Sequence, residues 1–173
     1  MSERAETADQ QPDDVAWAAW TSDLVEVLTG LADRASVTVT GPEGSARPVR
    51  LRKARLRGFV PAKHEIATPW VRLARVEDFL RGHCVGAELI GAHFPMSPDE
   101  DAALVALGWH RPTPGDGEDY LRFWPDDVPQ GPYLPREEAE RAAAMVAASF
   151  REVLALDAPG LPAIGPAESP HRG

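Results

Sequence analysis

Cysteine is nearly missing from this chain: Cys84 is the only one in 173 residues. A single thiol cannot close an internal disulfide or build a cysteine-rich zinc site, so a disulfide scaffold is excluded and a reducing compartment fits. Long apolar runs are missing too. No stretch approaches the ~18 consecutive apolar residues of a membrane span, and the opening "MSERAETADQQPDD" has no hydrophobic centre of a signal peptide. The chain is therefore expected in the cytoplasm, with no membrane among its partners. It also has no surplus of positive charge, since 18 Lys and Arg face 27 Asp and Glu for a net charge of -9. Non-specific nucleic-acid binding rests on neutralising phosphates, which makes nucleic acid the least favoured partner. The common phosphate-loop, dinucleotide, serine-hydrolase and zinc-protease motifs do not occur.

What is present suits one globular domain, with 43% hydrophobic and 26% charged residues. Residues 1–13 read as a disordered acidic tail, 14–157 as a single α+β domain and 158–173 as a disordered tail rich in Pro and Gly. From Asp14, an N-cap candidate, Trp17, Trp20, Leu24, Val27, Leu28 and Leu31 recur at three- and four-residue steps and predict an amphipathic helix. "SVTVT" alternates as a half-buried strand, followed by a Gly/Pro/Gly hairpin turn. In "RPVRLRKARLR" (47–57), Val49 and Leu51 alternate with Arg50 and Arg52, and a bulge near 53–55 would bring Leu56 back into phase.

A loop over 61–69 precedes the alternating strand "WVRLARV", and "HCVGAELIGAHF" reads as a fourth strand. "MSPDEDAALVALGW" predicts a capped helix, with Ser97 as N-cap, Pro98 at the first turn, Glu100 completing the capping box and Gly108 as the left-handed stop. "DYLRFWP" is a fifth strand, and Pro135 opens a long helix with a stripe through Ala142, Met145, Val146, Ser149, Phe150, Val153 and Leu154. The expected fold is thus α+β. An antiparallel sheet of about five strands carries an N-terminal helix, a short helix before the last strand and a long C-terminal helix.

The chemistry-bearing residues do not converge. His83 and Cys84 alternate across a strand, and Glu88 is out of step with His83, so neither a metal site nor an acid/base pair is expected, and no cofactor. Cys84 in an apolar strand reads as inert packing. The acidic cluster at 116–119 in "GDGEDY" reads as a solvated turn. Tryptophans are a different matter. Any of Trp70, Trp109 and Trp124 left exposed would anchor a peptide or a second subunit.

The block "GAELIGAHFPMSPDEDAALVALGWHRP", 86–112, resembles the motif of the TY-Chap domains, which are grouped with the chaperones of type III secretion and YbjN-like proteins. The segments "PWVRLA" and "DYLRFWP" on either side also resemble those of the family. The matching positions are Glu88, Gly91, Leu104, Leu107, Gly108, Trp109 and Pro112, most of them structural in kind. The resemblance implies a secretion-chaperone-like fold, a bacterial cytoplasmic setting and the binding of a client protein or peptide rather than catalysis, with a homodimer as one possible form and secretion as a possible link. The candidate partner-binding residues are Arg50, Arg52, Arg55, Arg57, Trp70 and Arg72. The basic 47–57 stretch reads either as a surface for an acidic peptide or as a solvated strand face. The alternative function is a regulatory domain using that stretch for an acidic or nucleic-acid partner.

Overall fold

A computed structural model describes residues 6–52, 63–88, 92–113, 115, 117–127 and 133–169, with 6–12, 50–52 and 63–64 given by their backbone alone. In chain order these form α1 (Glu6–Thr29), β1 (Ser36–Thr40), a 3-10 turn (Glu43–Ser45), β2 (Arg47–Arg52), β3 (Lys63–Ala67), β4 (Trp70–Val76) and β5 (Phe79–Cys84). After them come α2 (Pro98–Leu107), β6 (Tyr120–Trp124), α3 (Arg136–Ser149), a π-helical turn (Phe150–Leu154) and β7 (Ala163–Ile164).

The fold is α+β, with three helices against a five-stranded antiparallel sheet in the order β6-β5-β4-β1-β7. Register decides which face is core, because directly opposed residues lie on the same side. Val37 faces Leu73, Val39 faces Val71, Leu80 faces Trp124 and Cys84 faces Tyr120. All eight are buried, and they pack with Trp17, Trp20, Leu24 and Leu28 of α1 and with Ala142, Ala143 and Val146 of α3 in one core. The alanines of α3 let α1 approach closely, and each fully buried leucine contributes about 2 kcal/mol from surface removed from water. The other face carries Thr38, Trp70, Arg72, Arg81 and His83, none of them buried. Among the described residues no helix covers it.

Helix α2 forms as its local chemistry dictates. The Ser97 side chain accepts from the Glu100 amide, the Glu100 carboxylate accepts from the Ser97 amide, and Gly108 closes the helix at φ 109°. Leu104 is buried, with Ala103 and Leu107 partly so. At the end of α2, Trp109 and Trp124 meet edge to face with ring centroids 6.0 Å apart. Gly82 opens the space they occupy, since a Cβ there would lie 2.7 Å from the Trp124 ring and 3.2 Å from Trp109.

Four expectations are corrected. Helix α1 starts at Glu6 rather than after residue 13, so part of the expected tail is helical and Asp14 is no cap; its carboxylate accepts from Arg151 instead. No hairpin joins β1 to β2. The 3-10 turn after Pro42 leads β2 into a separate two-stranded ribbon with β3, which occupies what was read as a loop over 61–69. The ribbon has a register shift between Arg50 and Arg52, while the bulge expected at 53–55 lies outside the described residues. Strand β5 begins at Phe79 and ends at Cys84, leaving Glu88 beyond it and exposed. The stretch 158–173 is not wholly a tail, because β7 adds the fifth strand along β1, a place the sequence reading gave to 47–57.

Candidate functional site

Trp70 opens β4 and stands half-buried on the open sheet face, between two clefts. Alternation along "WVRLARV" sends Val71 and Leu73 into the core and leaves Trp70, Arg72 and Ala74 on the open side. One cleft, about 470 Å³, runs from Trp70 toward the ribbon; Val49, Ile66, Ala67, Val85 and Phe94 form its apolar wall, and Glu65, His93, Glu118 and Asp119 add polar groups. Val49 is buried beneath it, whereas Ile66 is 66% exposed. The second cleft, about 400 Å³, lies over the strands and is lined by Arg34, Ser36, Arg72, Ala74, Arg81, His83 and Asp119. Three arginines line the second cleft and Glu65 and Glu118 line the first, with Asp119 shared by both.

Short-range contacts hold these groups in place. Arg72 donates from Nε and Nη2 to the Ser36 hydroxyl at 3.2 and 2.9 Å, and its guanidinium lies 4.0 Å from the Glu168 carboxylate. Asp119 lines both clefts, accepting from the Gly86 amide at 3.3 Å with His83 Nδ1 4.0 Å away. Burial holds the Asp119 carboxyl above its usual range, against the downward pull of that amide and of His83. Burial, followed by the nearby Arg81, pushes the His83 imidazole below 6.5, while Asp119 pulls it back.

The basic stretch is divided by the structure. Arg47 is structural. It forms a bidentate pair with Glu100 at 2.6 and 3.1 Å, donates to the Pro95 carbonyl at 2.8 Å and lies 5.1 Å over the Phe94 ring. Through it the ribbon is fastened to the capping box of α2, and the pair with Arg47 holds the Glu100 carboxyl below its usual range although burial pushes it up. Arg50 and Arg52 are on β2, where the register sets Arg50 opposite His64 and Arg52 opposite Lys63. Arg55 and Arg57 lie outside the described residues. Of the six candidate partner-binding residues, Trp70 and Arg72 are brought together on the open face.

The motif residues serve the fold. Leu104 and Trp109 are buried, and the Trp109 indole donates to the Ser149 hydroxyl at 2.9 Å. Leu107 and Pro112 are half-buried. The Glu88 amide donates to the Phe94 carbonyl at 2.9 Å while its residue stays exposed, and Gly91 lies outside the described residues. Cys84 is fully buried, and burial pushes its thiol far above the range in which a thiolate forms. Among the described residues no three His, Cys, Asp or Glu side chains gather as metal ligands.

Two residues escaped the sequence reading. Asp119 reads in the sequence as part of a solvated turn, yet it lines both clefts. Asp101 is one acid among several in "PDED", yet it is buried, accepting from the Tyr120 hydroxyl at 2.5 Å and bonding Arg111 with both oxygens. Its signal was helical phase: Asp101 falls three residues before Leu104, on the same face of α2.

Residues 9–161 match the model of the family TY-Chap3, described as "T3SS (YopN, CesT) and YbjN peptide-binding chaperone 3". No curated protein and no solved structure matches the chain.

Proposed function

The chain belongs to the TY-Chap3 family, and from that premise we propose that it binds an extended segment of a client polypeptide across the open sheet face, over Trp70. The family is described as one of peptide-binding chaperones. One observation carries the reading: a half-buried indole stands between two clefts, on a face that no described helix covers. Aromatic side chains held in such surroundings dominate peptide affinity, and charged rims select the sequence and speed encounter. The apolar wall formed by Val49, Ile66 and Phe94 suits an aliphatic or aromatic client residue, while Arg72 and Arg81 suit acidic ones.

In this reading the protein works in the bacterial cytoplasm, with a link to secretion and as a homodimer. None of the described helices is long and apolar enough to cross a membrane, which agrees with that setting.

The test is capture of clients from the native lysate, followed by anisotropy titration with synthetic peptides tiled across the captured chain. A peptide from the client should bind the wild type at least tenfold more tightly than it binds Trp70→Ala or Arg72→Glu. Equal affinity for all three would sink the reading.

A further inference from the structure

The open face is one surface of the sheet; its β1 edge is another, and the chain's own end lies on it. The Gly165 amide donates to the Thr38 carbonyl at 2.9 Å, and Ser36 and Glu168 exchange both backbone bonds, at 2.9 and 2.7 Å. Upstream, the indole N–H of the buried Trp20 donates to the Pro162 carbonyl at 2.7 Å. This is strand addition in cis: an extended segment completes a sheet whose next strand would otherwise present unpaired amides and carbonyls.

The segment fits the edge poorly. From Thr38 to Ser36, β1 advances two residues, while its partner advances three, from Gly165 to Glu168. The extra residue makes a bulge around Pro166 and Ala167 that interrupts the ladder. Side-chain burial is confined to its start: Pro162 is buried and Ile164 packs partly against the core, whereas Ala163, Pro166, Ala167 and Glu168 are exposed. Gly165 is needed for the approach, since a Cβ there would lie 2.9 Å from the Thr38 carbonyl oxygen. The family match ends at 161, one residue before the segment begins.

We propose that the β1 edge is a strand-addition site for the client polypeptide, and that residues 162–168 hold it closed as a displaceable placeholder. This rests on the peptide-binding reading above and adds its regulation. The fitting partner is an extended segment without a bulge, antiparallel to β1. It has an aliphatic residue in place of Ile164, glycine in place of Gly165, and an acidic residue near Arg72, where Glu168 now lies. Trp20 offers its indole N–H to a carbonyl of whichever segment occupies the edge. Such a client pairs continuously along Ser36–Thr40, which the placeholder does not.

The test uses the full chain and a synthetic peptide, Gly-Leu-Pro-Ala-Ile-Gly-Ala-Glu-Ser, which is the chain's own 160–169 without Pro166. Amide hydrogen exchange is followed by NMR as peptide is added. At saturation the Gly165 and Glu168 amides should lose protection at least tenfold while the Ser36 amide keeps its own, now bonded to the peptide. Two full-chain variants loosen the placeholder: Glu168→Pro, which removes one donor at an exposed site near the chain end, and Gly165→Val. Each should bind the peptide at least tenfold more tightly than wild type. Failure of the peptide to bind Glu168→Pro, or binding that leaves Gly165 and Glu168 protected in the wild type, overturns the inference. The open-face reading is scored separately: client capture lost in Trp70→Ala with the placeholder still protected leaves that reading standing and this one refuted.

Discussion

The indole N–H of Trp109 donates to the hydroxyl of Ser149 across 2.9 Å, and Ser149 in turn donates to the Met145 carbonyl at 2.7 Å. Both residues are buried, so the bond ties Trp109, two residues past α2, to the last turn of α3 where water cannot substitute. An unpaired donor in such a place costs about 1–3 kcal/mol. Ser149→Ala should therefore lose about 1–2 kcal/mol in urea unfolding, and Trp109→Phe about 2 kcal/mol with its lost ring volume included. A double-mutant cycle should return a coupling of about 1 kcal/mol; additive effects would show that the bond contributes nothing.

Gly82 is fixed by its neighbours rather than by its backbone. Adding one methyl group places a carbon 2.7 Å from the Trp124 ring, and neither Trp124 nor Trp109 has free space to retreat into. Gly82→Ala should cost about 1–3 kcal/mol through overpacking, seen as a lower thermal midpoint with the same circular-dichroism spectrum. An unchanged midpoint would contradict the packing described.

Asp101 gives stability a pH dependence with a definite sign. Hydrogen bonds from Arg111 hold its carboxyl below the usual 3.8 against the upward push of burial, with the Tyr120 hydroxyl adding to the effect. A carboxyl whose folded pKa lies below its unfolded value contributes its full stability above the unfolded pKa of about 3.9 and loses it as pH falls through the folded pKa. Stability measured by urea titration between about pH 5 and pH 2 should fall with acid, and Asp101→Asn should flatten that fall. A slope unchanged in Asp101→Asn would assign the acid sensitivity elsewhere.

Arg47 and Glu100 clamp the ribbon to α2. Both side chains are about a quarter exposed, 28% and 24%, and a bidentate pair of this kind contributes about 1 kcal/mol. Arg47→Ala should cost little in global unfolding but should speed hydrogen exchange at Val49 and Ile66, since it also takes away the contact with Phe94. The ribbon forms one wall of the cleft beside Trp70, so client affinity should fall several-fold in the same variant. Ribbon exchange equal to wild type would show that the ribbon is held by other contacts.

Elements written in local chemistry were legible in the sequence, and those defined by a distant partner were not. The capping box from Ser97 to Glu100 and the stop at Gly108 need only their own residues, and both are as expected. The strands "SVTVT" and "WVRLARV" carry alternation strong enough to fix their faces, whereas "YLRFW" is apolar on both sides and shows only that it is a strand. Strand β3, Lys63–Ala67, reads as loop because "KHEIA" has little apolar content between flanking prolines; its pairing with β2 makes it a strand. Strand β7 is hidden for the same reason in a Pro- and Gly-rich stretch, where the backbone of β1 supplies the order. Strand β5 was placed too late, since the apolar letters run on past Cys84 although the ladder does not. At the site, Trp70 and Arg72 could be found by alternation, whereas Asp119 could not, because only the folded chain brings residue 119 beside residue 70.

The open face is asymmetric about Trp70, with Arg34, Arg72 and Arg81 toward one side, Glu65 and Glu118 along the other and Asp119 between them. A bound chain has its own direction, from amino to carboxyl end, and its charges are ordered along it. Such a face therefore discriminates between a sequence and its reversal, although the two have identical composition. Selectivity at this face would then depend on the order in which the client presents its acidic and basic residues, not on their number alone.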